Sequence, residues 1–80
     1  MNELLEDLYA VDGWELLTSH QQNVLFLVYQ DHHKAYEGAR LANMVRVVAD
    51  ANNVNQVLVY YKTEWYHYGI DTETGRSIWY

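Results

Sequence analysis

The feature that most constrains this chain is that none of its candidate strands has a polar side. Side chains along a strand point alternately to two faces, and a sheet wetted on one face shows polar residues at every second position. Here both sets are apolar. Over residues 24–29, Val24, Phe26 and Val28 oppose Leu25, Leu27 and Tyr29. Over 56–62, Val57, Val59 and Tyr61 oppose Leu58 and Tyr60. Over 65–70, Trp65 and His67 oppose Tyr66, Tyr68 and Ile70, and over 76–80, Ile78 and Tyr80 oppose Trp79. Such a sheet needs cover on two faces, and a chain of 80 residues has little material to supply it.

The remaining segments set how much cover there is. Asn2 is placed to cap a short helix over 3–10, with Glu3, Glu6 and Asp7 at its positive end and Leu4, Leu8 and Val11 on one face. Asp12-Gly13 stops it. Residues 14–18 read as a strand, 19–23 as a polar break, and 24–29 as its hairpin partner. Asp31 is placed to cap a long helix over 32–51, with Gly38, Ala39, Leu41, Ala42, Met44, Val45, Val48 and Ala49 on one broad side. Strands over 56–62, 65–70 and 76–80 follow, the last two joined by a hairpin loop, Asp71-Thr72-Glu73-Thr74-Gly75. The expectation is a single α+β domain over 1–80, ordered αββαβββ. Its sheet is mainly antiparallel, with the long helix on one face and a short N-terminal helix. That short helix is about 13 Å long, so some aromatic surface is expected to stay uncovered and to mark an interface or a groove.

Composition removes other classes. The chain has no Cys, which excludes disulfides, thiolate metal sites and a cysteine nucleophile and fits a cytoplasmic location. Five Lys and Arg against 11 Asp and Glu give a net charge of −6, a poor basis for direct nucleic-acid binding. No apolar run approaches the length of a membrane span, and no leader pattern is visible, so the sequence reads as a complete small gene product.

The chemistry-bearing residues are sparse. His32 and His33 are neighbours, so they diverge on a helix and are expected at its surface rather than on a metal. His67, among Trp65, Tyr66 and Tyr68, is expected to pack or hydrogen-bond within the sheet. Ser19-His20 lacks triad geometry, and no Gly-rich phosphate loop is present. No catalytic, metal or cofactor residue is assigned. The acids gather near the two ends of the chain, in Glu3, Glu6, Asp7, Asp12 and Glu15 and again in Asp71 and Glu73. If the first helix and last hairpin lie together, they form one acidic patch able to imitate nucleic acid.

Leu4-Leu5-Glu6-Asp7-Leu8, then Asp12-Gly13-Trp14-Glu15-Leu16-Leu17 and Phe26, resembles small bacterial and phage domains of unknown function. In those, a Leu-rich helix precedes a Gly-Trp-Glu-Leu strand and a returning hairpin strand. The likeness covers residues 3–30 and implies a local fold but no activity. As a type, the short, acidic, Cys-free and aromatic-rich chain is similar to small phage-encoded inhibitors.

The functional expectation is a non-enzymatic protein-protein interaction module, an inhibitor that occludes a partner's working surface. Trp65, Tyr66, Tyr68, Trp79 and Tyr80 are the expected anchors, with Asp71 and Glu73 on an acidic rim. The partner is a protein or a second copy of the chain. The alternatives are an aromatic groove, involving His67, that binds a small ligand, and the acidic nucleic-acid mimic.

Overall fold

A computed structural model describes residues 7–80, and Thr18 decides its largest element. The Thr18 hydroxyl accepts from the Gln21 N–H at 3.1 Å, while the Thr18 N–H donates to Gln21 Oε1 at 3.0 Å. This reciprocal capping box starts helix α1, Ser19–Ala35. Its buried residues are Gln21, Val24, Leu25, Val28, Tyr29 and His32, a stripe at helical spacing. The Gln21 side chain also donates to the Val54 carbonyl at 3.1 Å, pinning the first turn to the loop after the first strand.

Four strands follow: β1 Met44–Ala49, β2 Val57–Tyr61, β3 Trp65–Ile70 and β4 Ser77–Trp79. They form one antiparallel sheet in the order β1-β2-β3-β4. The α+β class, the antiparallel sheet, the single long helix and a helical stretch near the N-terminus (residues 7–9) are all present. The start of the expected helix over 3–10 lies outside the described residues.

The expected order αββαβββ is corrected in three places. Residues 24–29 are helical, not a strand, because the box at Thr18 extends the apolar run into the stripe of α1. Trp14–Leu16 is a single 3-10 turn rather than part of a strand over 14–18. The helix expected over 32–51 stops at Ala35, and its second half is β1. A bulge explains that last reading. The register shifts between Met44 and Arg46, so Met44 pairs with Tyr61 and Arg46 with Tyr60. The extra residue, Val45, turns an inward spacing of two into a spacing of three. Met44 and Val47 then both point to the core, as they would on a helix. The β-branched residues Val45, Val47 and Val48 suit the strand better.

The core lies between α1 and one face of the sheet. Val24, Leu25, Val28 and Tyr29 pack there with Met44, Val47, Val57, Val59, Tyr61 and Tyr68, and Leu8, Leu17 and Ala39 close its margins. Outside β1, the chain at Asp12-Gly13 runs so close that the Val47 N–H donates to the Asp12 carbonyl at 2.9 Å. Gly13 has φ 96°, and a Cβ built there would sit 2.0 Å from the Val47 carbonyl oxygen. Gly75, at φ 74° in the β3–β4 loop, has nothing within 4 Å of such a Cβ. Both positions carry the left-handed penalty, but only Gly13 adds a backbone collision. Gly13→Ala is therefore expected to cost more than about 2 kcal/mol and Gly75→Ala about 1 kcal/mol. Denaturant unfolding of the two variants checks this ordering.

Candidate functional site

The two sets of strand side chains meet different surroundings. On the covered face, His32 of α1 is 1% exposed and lies among aromatic rings of the sheet. It stacks on Trp79 at 4.9 Å between centroids and meets Tyr66 edge-on at 4.5 Å. Its Nδ1 is 2.6 Å from the Tyr68 hydroxyl, which is 2.6 Å from the Tyr61 hydroxyl. Burial holds the His32 imidazole below its ordinary pKa, opposed by the charge of Glu64. Burial likewise pushes the Tyr61 and Tyr68 phenols well above theirs. No buried side-chain polar atom among the described residues lacks a partner. The His32–Tyr68–Tyr61 chain is thus a satisfied core network.

On the other face none of the described elements covers the sheet. Register places Arg46, Tyr60 and Trp65 side by side on β1, β2 and β3, and Val48, Leu58 and His67 in the next row. Backbone hydrogen bonds between His67 and Tyr80, at 2.8 and 3.2 Å, extend that row past β4. The side chains form a continuous stack. The Arg46 guanidinium lies 5.1 Å from the Tyr60 centroid, Tyr60 and Trp65 are 5.8 Å apart at 21°, and Trp65 and His67 are 5.1 Å apart. His67 and Tyr80 are 4.4 Å apart and nearly parallel, at 8°. The Tyr80 hydroxyl donates to Gln56 Oε1 at 3.2 Å, and Gln56 lies over Gly69. Trp65 is 53% and Tyr80 60% exposed, and Val48 and Ile78 are also exposed. Stacked pairs of this kind contribute about 0.5–1.5 kcal/mol each beyond area burial, so the platform is preformed.

The seven residues expected at an interface therefore divide. Trp65 and Tyr80 are on the open face. Tyr66, Tyr68 and Trp79 are on the covered face: Tyr68 is fully buried, and Tyr66 and Trp79 pack against the core. Alternation along β3 forces this split, since Trp65 and Tyr66 cannot face the same way. Asp71 and Glu73 lie in the β3–β4 loop at one end of the face. Asp71 Oδ1 accepts from the Glu73 N–H at 2.9 Å, and the loop's backbone N–H groups and the Thr74 hydroxyl hold its carboxyl below the usual range. Asp71 thus shapes the turn as well as charging the rim.

Six residues of the open face lie outside the expected set: Arg46, Val48, Leu58, Tyr60, His67 and Ile78. Tyr60 and His67 follow from register once β2 and β3 are paired. Arg46 was hidden by the helical reading of 32–51. His32, expected at the surface, is buried because α1 begins at Ser19 and carries it into the apolar stripe.

A cavity of about 180 Å³ opens at the sheet end where α1 finishes, lined by Tyr36, Gly38, Asn43, Tyr61, Lys62, Thr63, Glu64 and Tyr66. The Tyr36 and Tyr66 hydroxyls both donate to the Glu64 carboxylate. These two bonds hold Glu64 below the usual carboxylate range. The Tyr66 phenol is pushed up to about 12 by burial and by Glu64. The aromatic groove expected to involve His67 is not this cavity, since His67 lies on the open face. The acids of the two chain ends do not share one patch among the described residues. Asp12 borders β1, and the Asp71–Gly75 loop joins β3 to β4, at the opposite edge of the sheet.

Among the described residues no three His, Asp or Glu side chains converge as a metal site, and no helix is long and apolar enough to cross a membrane. No protein-family model, curated protein or solved structure matches this chain. The local fold implied by the resemblance of residues 3–30 differs from the observed one, since Gly-Trp-Glu-Leu forms a turn and Phe26 sits in α1.

Two measurements check the covered face. Tyr68→Phe leaves His32 Nδ1 and the Tyr61 hydroxyl without their buried partner and is expected to lower unfolding free energy by about 1–3 kcal/mol. The lowered His32 pKa also fixes a sign. The unfolded chain takes up the proton first as pH falls, so the stabilisation from a neutral His32 is complete above about pH 6.5 and is lost progressively below it. Stability measured between pH 7 and 5 should decline, and the His32 ring resonance should titrate below the imidazole reference.

Proposed function

We propose that this chain is a non-enzymatic protein-protein interaction module that docks through the open face of its sheet. The observation that supports this reading is the Arg46–Tyr60–Trp65–His67–Tyr80 stack, held in place before any partner arrives and left in solvent by the fold. Aromatic and Arg side chains of this kind dominate binding energy when a partner desolvates them. Preformed stacking lowers the ordering cost of association.

Arg46 puts a cation on the face, and Asp71 and Glu73 stand at one end of it. The complementary surface is that of a partner protein with an apolar centre and a carboxylate opposite Arg46. Binding there blocks whatever the partner does with that surface, which makes this a small inhibitor. A chain without Cys suits a reducing, cytoplasmic setting for that role.

Trp65→Ala and Tyr80→Ala are the test. For a complex rebuilt from purified components, each variant is expected to lower affinity by at least about 2 kcal/mol, or roughly thirtyfold. The fold should survive, because neither side chain enters the core. Partner affinity unchanged in both variants overturns the proposal. A purified chain that sediments as a dimer, and becomes monomeric in Trp65→Ala, assigns the face to self-association instead of a partner.

A further inference from the structure

The cavity at the end of α1 lies on the other side of the sheet from the proposed docking face and has its own chemistry. Three Tyr rings border it. Tyr61 and Tyr66 stand 6.0 Å apart at 78° to one another, and Tyr36 is fixed beside them by the carboxylate it shares with Tyr66. That carboxylate, Glu64, has two phenol donors but no cation within ion-pair distance. Among the described residues the one ion pair is Arg40 with Glu37. Tyr36 is also the C-cap of α1, which puts the negative end of the helix dipole at the same place. Against Lys62 on the rim and Lys34 in the last turn of α1, Glu64 and the helix end favour a cation.

The kind of cation follows from the hydrogen bonds. Each Glu64 oxygen already accepts a phenol, the Tyr61 hydroxyl is engaged with Tyr68, and Asn43 Nδ2 donates to the Gly38 carbonyl at 3.3 Å. A primary ammonium, with three N–H groups to satisfy, has to share the Glu64 lone pairs with two phenols. A methylated ammonium needs none of them. It presents apolar methyl groups to the rings and a diffuse charge to their π-faces and to Glu64. About 180 Å³ equals the liquid volume of roughly six waters, room for such a head group.

We propose that Tyr36, Tyr61, Tyr66 and Glu64 form a binding site for a methylated ammonium group. A modified lysine side chain and a choline-type head both present the same methylated nitrogen to the cage. Lys62 acts as a resident competing charge at its rim.

The test is a titration of the full chain, followed by NMR at constant ionic strength. Tetramethylammonium, choline and Nα-acetyl-trimethyl-lysine amide are compared with 3,3-dimethylbutan-1-ol, the uncharged isostere of choline. The ammonium compounds are expected to give saturable shifts centred on Tyr36, Glu64 and Tyr66, with the neutral isostere at least about tenfold weaker. Tighter binding by the lysine derivative assigns the site to a modified protein, and tighter binding by choline assigns it to a head group. Glu64→Gln should weaken the ammonium by about tenfold or more, and Lys62→Ala, at an exposed position, should tighten it. Absence of saturable shifts, or equal binding of choline and its neutral isostere to the wild-type chain, overturns the proposal without reliance on any variant. Neither result touches the docking face, whose own test uses Trp65 and Tyr80.

Discussion

One helix against one face of a four-stranded sheet is the constraint from which the rest follows. α1 is 17 residues long and contacts mainly β3 and β4, while the turn at Trp14 contacts β1. Together they roof a single side. Among the described residues the opposite side has no second helix to meet it, yet it too is rich in aromatic side chains. The fold gathers this uncovered aromatic surface on one face instead of dispersing it.

The two faces use the same residue types in opposite ways. Below the helix, Tyr hydroxyls and a His nitrogen satisfy one another, so that rings and polar tips are both out of water. Across the sheet from it, rings of neighbouring strands lie nearly parallel, and the platform they form is open to water. A Tyr at one position is therefore core and at the next is platform. Trp65 and Tyr66, or Tyr60 and Tyr61, differ only in which way the pleat turns them.

That alternation also explains what was legible in the sequence. β2, β3 and β4 could be read because polar and turn residues separate their apolar runs, above all the Asp71–Gly75 loop. The excess of aromatic strand surface could be read as well, and Trp65 and Tyr80 with it. The direction in which each residue faces could not, because a strand with two apolar faces gives alternation no contrast to work on. The exchange of helix and strand between 19 and 49 has two causes. The run Val24–Tyr29 fits either period, and the deciding signal is the Thr18-to-Gln21 box, which opens six residues ahead of Val24. The bulge at Val45 then imposed a helix-like spacing on β1. The His32 network and the Glu64 cavity arise only after both corrections, since each joins α1 to strands far along the chain.

The close approach at Gly13 reaches beyond local packing. By placing the Asp12 carbonyl on the Val47 N–H, the chain blunts the outer side of β1, while β4 keeps an edge with no neighbouring strand among the described residues. Growth of a fibre by strand addition requires two complementary open edges, one to give and one to receive. With a contact on the β1 edge taken by Asp12, β4 is the edge left open to strand pairing among the described residues. A single glycine, by admitting that close approach, thus guards one margin of an aromatic sheet against strand addition.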